Sequence, residues 1–222
     1  MAVIFAANGN VITASWLILA AMIFDFLDGL SARLLKSYSE LGKELDSLAD
    51  VVSFGVAPAL IIYQLLAMSA ALSGYEPSSG IALNIFIIKS VPVIMPVCAA
   101  LRLAKFNTDT TQTSSFKGLP TPANALAVIS LIIADHYTGS TIINRFAGSP
   151  AALITFTVIL SLLMVSRLPM LSLKFSNLKF RGNEGRSILF GLVCISLVIL
   201  GFRAAPLIIP FYIIVSLVSL IF

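Results

Sequence analysis

Charge is scarce in this chain. Only 11% of its 222 residues are Asp, Glu, Lys or Arg. A soluble domain carries about 25%, so a water-facing surface all round is excluded. Cysteine is nearly absent. Cys98 and Cys194 both lie inside apolar runs, where they read as small hydrophobes, and no spacing supports a disulfide or a cysteine metal site. There is one histidine, His136, beside Asp135 and Tyr137; it reads as interfacial, and a histidine-built metal centre is excluded. The first residues lack a basic stretch and do not read as a signal peptide. The net charge of +4 is no nucleic-acid signal, because the basic residues sit in loops between apolar runs.

What the chain has in quantity is oil: 59% of it is apolar. Seven apolar segments stand out, near 11–35, 40–72, 81–105, 121–138, 150–166, 186–203 and 206–222. Each is long enough, or nearly so, to cross a hydrocarbon layer about 30 Å thick. The second is overlong and is expected to extend beyond the membrane or to break near Gly55 and Pro58. Only Ala204–Ala205 separate the last two, which predicts a tight hairpin. The predicted fold is all-α: a polytopic transmembrane helix bundle with a polar cavity facing the cytoplasm. Residues 1–222 read as one integral-membrane domain, with no soluble module left over.

Basic residues set the orientation. Arg33, Lys36 and Lys43 flank the first turn, Arg102, Lys105 and Lys117 flank the loop after the third segment, and Arg167, Lys174, Lys179, Arg181 and Arg186 lie in 167–186. All fall on one side, which the positive-inside rule makes cytoplasmic. Arg145 and Arg203 are opposite, and Lys89 lies within a span, where its long stem can snorkel.

Against this background, residues 25–50 are anomalous: DFLDGLSARLLKSYSELGKELDSLAD. At 100° per residue, Asp25, Asp28, Gly29 and Ala32 fall within an arc of about 100°. Gly42, Asp46 and Asp50 fall within about 80° on the next helix, and Ser53 returns to that face. The turn between them is short, so the helices are antiparallel neighbours and their aspartates face one another. They lie roughly 5–20 Å below the turn. A lone carboxylate at the bilayer centre costs roughly 2.5–3.5 kcal/mol, and four would also repel. Divalent cations or protons can neutralise them, and all-oxygen donors favour Mg²⁺, Mn²⁺ or Ca²⁺. Gly29, Ala32 and Gly42 leave room for a ligand between the backbones, or serve close helix packing.

These residues also carry a resemblance. Asp25-x2-Asp28-Gly29-x2-Ala32-Arg33-x8-Gly42-x3-Asp46-x3-Asp50 has every element of the CDP-alcohol phosphotransferase signature at that family's spacing. LDSLADVVSFGVAPA (45–59), LRLAKFN (101–107) and FKGLPTP (116–122) resemble the bacterial and archaeal phosphatidylserine synthases, and the likeness extends, more loosely after 125, over most of the chain. The resemblance implies transfer of a phosphatidyl-type group from a CDP-lipid (CDP-diacylglycerol or CDP-archaeol) to the hydroxyl of L-serine, with release of CMP. It implies a divalent metal, two ions of Mg²⁺ or Mn²⁺ with Ca²⁺ as a third choice, held by Asp25, Asp28, Asp46 and Asp50. Asp50 is also the expected general base. Asp28, Gly29, Ala32, Arg33 and Gly42 are the expected contacts for the CDP-lipid. A homodimer in a prokaryotic cytoplasmic membrane is implied, with bilayer lipid around it and no nucleic acid. Family members usually carry one more helix before the motif, and Met1–Asn10 is too short to be that span.

For the acceptor, a zwitterionic amino acid needs a cation for its carboxylate. Arg102 is the first candidate, because its fork suits a carboxylate. Lys105 stands beside it, and Ser53 and Asn107 are candidates for the amine or hydroxyl. The basic loop 167–186 reads as a topology signal or a hold on a phosphate at the cavity mouth. Glycerol 3-phosphate or inositol phosphate as acceptor would call for more basic residues in the cavity. A cation transporter built on intramembrane aspartates is the alternative from a different class.

Overall fold

The computed structural model describes residues 1–35, 39–72, 81–108, 116–171 and 183–219; Lys36, Lys174, Lys179 and Arg181 lie outside this set. The architecture is an all-α polytopic bundle, and the protein is an integral membrane protein. Four helical runs are long and apolar enough to cross a bilayer: Val11–Ala32, Glu40–Ser69, Phe86–Thr108 and Glu184–Val218. A pair bent by 78°, α8 (Thr141–Ala147) and α9 (Pro150–Val165), is apolar enough when taken together.

The last of the four runs is not one rod. Its arms, α10 (Glu184–Leu200) and α11 (Ile208–Val218), are joined by a 3₁₀ turn over Gly201–Leu207 that contains Pro206. They fold back on each other: a β-carbon placed on Gly185 would stand 3.4 Å from Cβ of Ser219. This is the expected hairpin, with a turn of seven residues.

The helix at the centre of the packing is α7 (Thr121–Thr138), which buries eleven of its eighteen residues, including the run Ala127–Ala134. A helix apolar all round belongs inside. Pro122 sits in its first turn, where its missing N–H costs nothing. Gly139 ends it at φ 54°, donating to the carbonyl of Asp135. Phe54, Ile61, Ile62, Met95 and Leu153 are fully buried in the same core. At the Thr138 end, Tyr137 stacks on Phe202 at 5.2 Å and meets Trp16 and His136 edge-on. Such a cluster suits a membrane–water boundary.

The second apolar segment does not break. Helix α3 (Glu40–Asp50) runs through a widened π-helical turn, Val51–Val56, into α4 (Ala57–Leu72). The N–H of Ala57 reaches back five residues to the carbonyl of Val52. Gly55 is at the close approach to α6 (Ile94–Thr108): a Cβ there would lie 3.1 Å from both Cβ of Ala99 and Cα of Pro96. Before α2 (Val11–Leu34), the short α1 (Ala2–Ala7) buries Ala6 and is held by Gln64, whose side chain donates to the carbonyl of Ala7 at 2.8 Å. The remaining span begins with α5 (Ile81–Ser90) and reaches α6 through a 3₁₀ turn at Pro92.

At the opposite end from the aromatic cluster, two short strands pair antiparallel: β1 (Phe116–Lys117) and β2 (Pro169–Met170). Gly118 follows at φ 78°, and a Cβ there would come within 2.4 Å of the carbonyl of Met164. Only glycine fits. The N–H groups of Gly118 and Leu119 donate to the carbonyls of Leu168 and Leu163. Beyond β2, Leu171 is pinned to α11: its N–H donates to Ser216 and its carbonyl accepts from the hydroxyl of Tyr212.

Candidate active site

Two helices of opposite character supply the acidic residues. Helix α2 is long and apolar, and Asp25 and Asp28 fall one turn apart near its C-terminal end. Helix α3 is short and polar, buries nothing, and starts on Ser39, whose hydroxyl accepts from the N–H of Gly42 at 3.0 Å. The absence of a side chain at Gly42 lets that cap form, since a Cβ would stand 2.9 Å from the Ser39 hydroxyl. A Cβ on Gly29, by contrast, would meet nothing within 4 Å, so this glycine faces open space. Ala32 is half-buried on α2, and the side chain of Arg33 lies outside the described set.

Carboxylate oxygens of Asp25, Asp28 and Asp46 all lie within 4.8 Å of one another. Asp50 is outside this trio, but its carboxyl is within hydrogen-bonding reach of Asp25. The four thus form one patch with two parts, three aspartates in a triangle and a fourth beside Asp25. The donor set is all oxygen and concentrates negative charge where neighbouring helices are apolar. It fits a hard divalent cation in charge and in atom type.

Helix α6 braces α3 and brings in positive charge. The Asn107 amide donates to the Ser47 hydroxyl at 2.9 Å, and the Lys43 ammonium reaches the Asn107 carbonyl at 3.4 Å. One turn earlier, Arg102 is 9% exposed. One guanidinium nitrogen is 3.5 Å from the hydroxyl of Thr121, and its Nε has no partner. Arg102 lies close enough to Asp50 and Tyr212 for both to act on its charge. A buried guanidinium with an unmatched donor is costly unless an anion arrives.

Arg102 also lines a cavity of ≈ 510 Å³ with Lys105, Lys117 and Arg167. Among the described residues no carboxylate lines it. The β1–β2 pairing holds Lys117 beside this end of α9, where Arg167 follows. Ser53 is half-buried in the widened turn after Asp50. The structure therefore gathers Asp25, Asp28, Asp46 and Asp50 on one side of Arg102, with Lys105 in the cavity on another. Asn107 is placed as a brace on α3. Sequence reasoning passes over Thr121 and Asn124, both fully buried near the start of α7. The available signal is that they are polar residues in the first turn of an otherwise apolar helix.

An apolar helical bundle with an acidic cluster near one end of its spans, next to a basic cavity, defines a membrane protein built to handle charged groups close to lipid. Residues 1–178 match the CDP-alcohol phosphatidyltransferase family. The chain belongs to that family. It is 35% identical over 173 residues to a CDP-diacylglycerol–serine O-phosphatidyltransferase of Helicobacter pylori strain J99, covering 76% of this chain and 64% of the relative. It is 32% identical over 159 residues to the enzyme of that name from Bacillus subtilis strain 168, covering 72% and 75%. It is also 34% identical over 140 residues to an archaetidylserine synthase of Methanothermobacter thermautotrophicus, covering 62% and 54%. The chain thus spans just under two thirds of the length of the Helicobacter relative. The family is divalent-metal dependent, in keeping with the donor set of the aspartate patch.

Proposed function

We propose that this protein transfers a phosphatidyl-type group from a CDP-lipid to the hydroxyl of L-serine and releases CMP. The observation that carries the reading is the aspartate triangle of Asp25, Asp28 and Asp46, with Asp50 adjoining it and an unmatched Arg102 beyond. The names of the relatives support serine as acceptor and admit an ester or an ether lipid.

Two divalent cations, Mg²⁺ or Mn²⁺ by preference with Ca²⁺ admitted by the donor set, would be held by Asp25, Asp28, Asp46 and Asp50 and would offset charge on the pyrophosphate. The open space at Gly29 would give the nucleotide access to α2, and Asp28, Ala32, Arg33 and Gly42 are the other contacts proposed for the CDP-lipid. Asp50 takes the proton from the serine hydroxyl. The serine oxygen then bonds to the lipid phosphorus, and the bond from that phosphorus to the CMP oxygen breaks, so CMP leaves with the electron pair. An aspartate is a weak base for an alcohol, so positioning and charge supply most of the acceleration. Arg102 binds the serine carboxylate, with Lys105 nearby. Ser53 and the amide oxygen of Asn107 take the ammonium group. The positive-inside rule makes the acidic end cytoplasmic, in a prokaryotic cell membrane. The acyl or isoprenoid chains stay among bilayer lipids, and the active unit is a homodimer.

The test is CMP release from CDP-diacylglycerol with Mn²⁺ or Mg²⁺, with and without L-serine. Serine-dependent release by the wild type, lost in Asp50→Asn, supports both reaction and base. Release with glycerol 3-phosphate or inositol phosphate but not serine overturns the acceptor. Ion flux in liposomes lacking CDP-lipid, with no CMP released from any mixture, would replace the transferase reading with a transporter.

A further inference from the structure

The widened turn that follows Asp50 has a cause in the sequence. Pro58 lies in the first turn of α4 and has no N–H. The carbonyl that an α-helix would pair with it belongs to Phe54, four residues back, and the proline ring crowds that carbonyl. The chain relieves the crowding by widening over Val51–Val56. The Phe54 carbonyl is then satisfied from outside its own helix: the side-chain amide of Asn124 on α7 donates to it at 3.4 Å. Asn124 is completely buried, Pro58 and Gly55 are buried, and Phe54 is 1% exposed. That amide ties the carbonyl at the widened turn to a second helix.

The geometry points to Pro58 and Asn124 as a positioning pair that aims Asp50. An i→i+5 bond takes up one more residue than i→i+4, and one residue is about 100° of helix rotation. The turn therefore rotates the face of α3 that carries Asp46 and Asp50 relative to the face that α4 packs into the core. In an uninterrupted α-helix, Phe54 would share the face of Asp50. Here Phe54 is sunk in the core, while Asp50 is half-buried beside Asp25. Gly55 fixes the position of the turn, because its close approach to Pro96 and Ala99 leaves no room for sliding. Neither Pro58 nor Asn124 touches a substrate. They act through the backbone. The assignment rests on the proposed transferase reading, in which Asp50 is the base.

Two substitutions separate aiming from mere stability. Pro58→Ala restores a backbone donor to the Phe54 carbonyl and allows the turn to close into an α-helix. The full-length protein in detergent or liposomes, with CDP-diacylglycerol, Mn²⁺ and L-serine, is expected to keep its thermal midpoint while kcat falls about 10²-fold, the cost of a misplaced reacting group. KM for the CDP-lipid should rise by a smaller factor than kcat falls, because Asp46 turns with α3 while Asp25 and Asp28 on α2 stay in place. Asn124→Leu removes the bond from α7 and sets an apolar side chain against that carbonyl, so both midpoint and kcat fall. Adding Pro58→Ala to Asn124→Leu should recover the midpoint but not kcat. Recovery of both would show that Asn124 is only a structural partner and would overturn the proposal. So would a Pro58→Ala variant with wild-type kcat, which stands as a test even where Asn124→Leu does not fold. Wild-type protein that releases no CMP sinks the transferase reading instead, and amide exchange of residues 51–59 still decides whether Pro58→Ala closes the turn.

Discussion

Helix α3 and helix α7 are opposites in construction, linked through the widened turn that follows α3 and packs on α7. Helix α7 buries eleven residues and is enclosed by α2, α4, α9 and the C-terminal hairpin. Helix α3 buries none, and its leucines 41, 45 and 48 are all exposed. Yet α3 carries two of the four aspartates. The proposed chemistry is placed on a helix that buries nothing, and its direction is set from elsewhere. A cap at Ser39 holds one end, the Asn107–Ser47 bond holds the middle, and the widened turn holds the other end. Loose packing leaves space for the proposed nucleotide and serine, while a few directed bonds limit how far the carboxylates can wander.

The contrast can be tested by substitutions on both helices. The largest effect is expected from Asp50→Asn, which removes the proposed base on α3: CMP release should fall about 10²–10⁴-fold with little change in thermal midpoint. If the midpoint rises instead and activity persists, the carboxylate is only a burden on the fold. Next is Ile129→Ala on α7, where the side chain is fully buried. A loss of about 2–5 kcal/mol in unfolding free energy is expected, with specific activity kept in the molecules that remain folded. Ser39→Ala should cost about 1 kcal/mol and raise amide exchange in the first turn of α3 only. The smallest effect is expected from Leu45→Ala, since Leu45 is 56% exposed; a change of more than about 0.5 kcal/mol would mean that a partner surface covers α3 in the working protein.

Much of this fold can be read from periodicity. The apolar runs become helices because a helix satisfies its own backbone in lipid or in an apolar core, and the hairpin follows from a short gap between two of them. The face shared by Asp25, Asp28, Asp46 and Asp50 follows from 3.6 residues per turn, and three of them do converge. What periodicity cannot carry is any contact between distant segments. The expected break near Gly55 and Pro58 is instead a widened turn, because an amide from α7 replaces the missing donor. That replacement depends on where Asn124 lands after folding. Likewise Lys117 and Arg167 read locally as topology charges, and only the β1–β2 pairing brings them to one cavity with Arg102. The short α8, bent away from α9, is too brief to leave a periodic signal.

Because Phe116–Lys117 pair with Pro169–Met170, the basic cavity is shared property. The chain leading into β1 and the chain leading into β2 each contribute to it, and neither owns it. Anyone exchanging segments between relatives to change the acceptor would have to move both together. A graft of 109–118 alone would seat a foreign residue at position 117 opposite the native Pro169, and the register fixed by Gly118 would decide which charge enters the cavity. In that sense one two-stranded sheet sets the unit in which the proposed specificity can be inherited or redesigned.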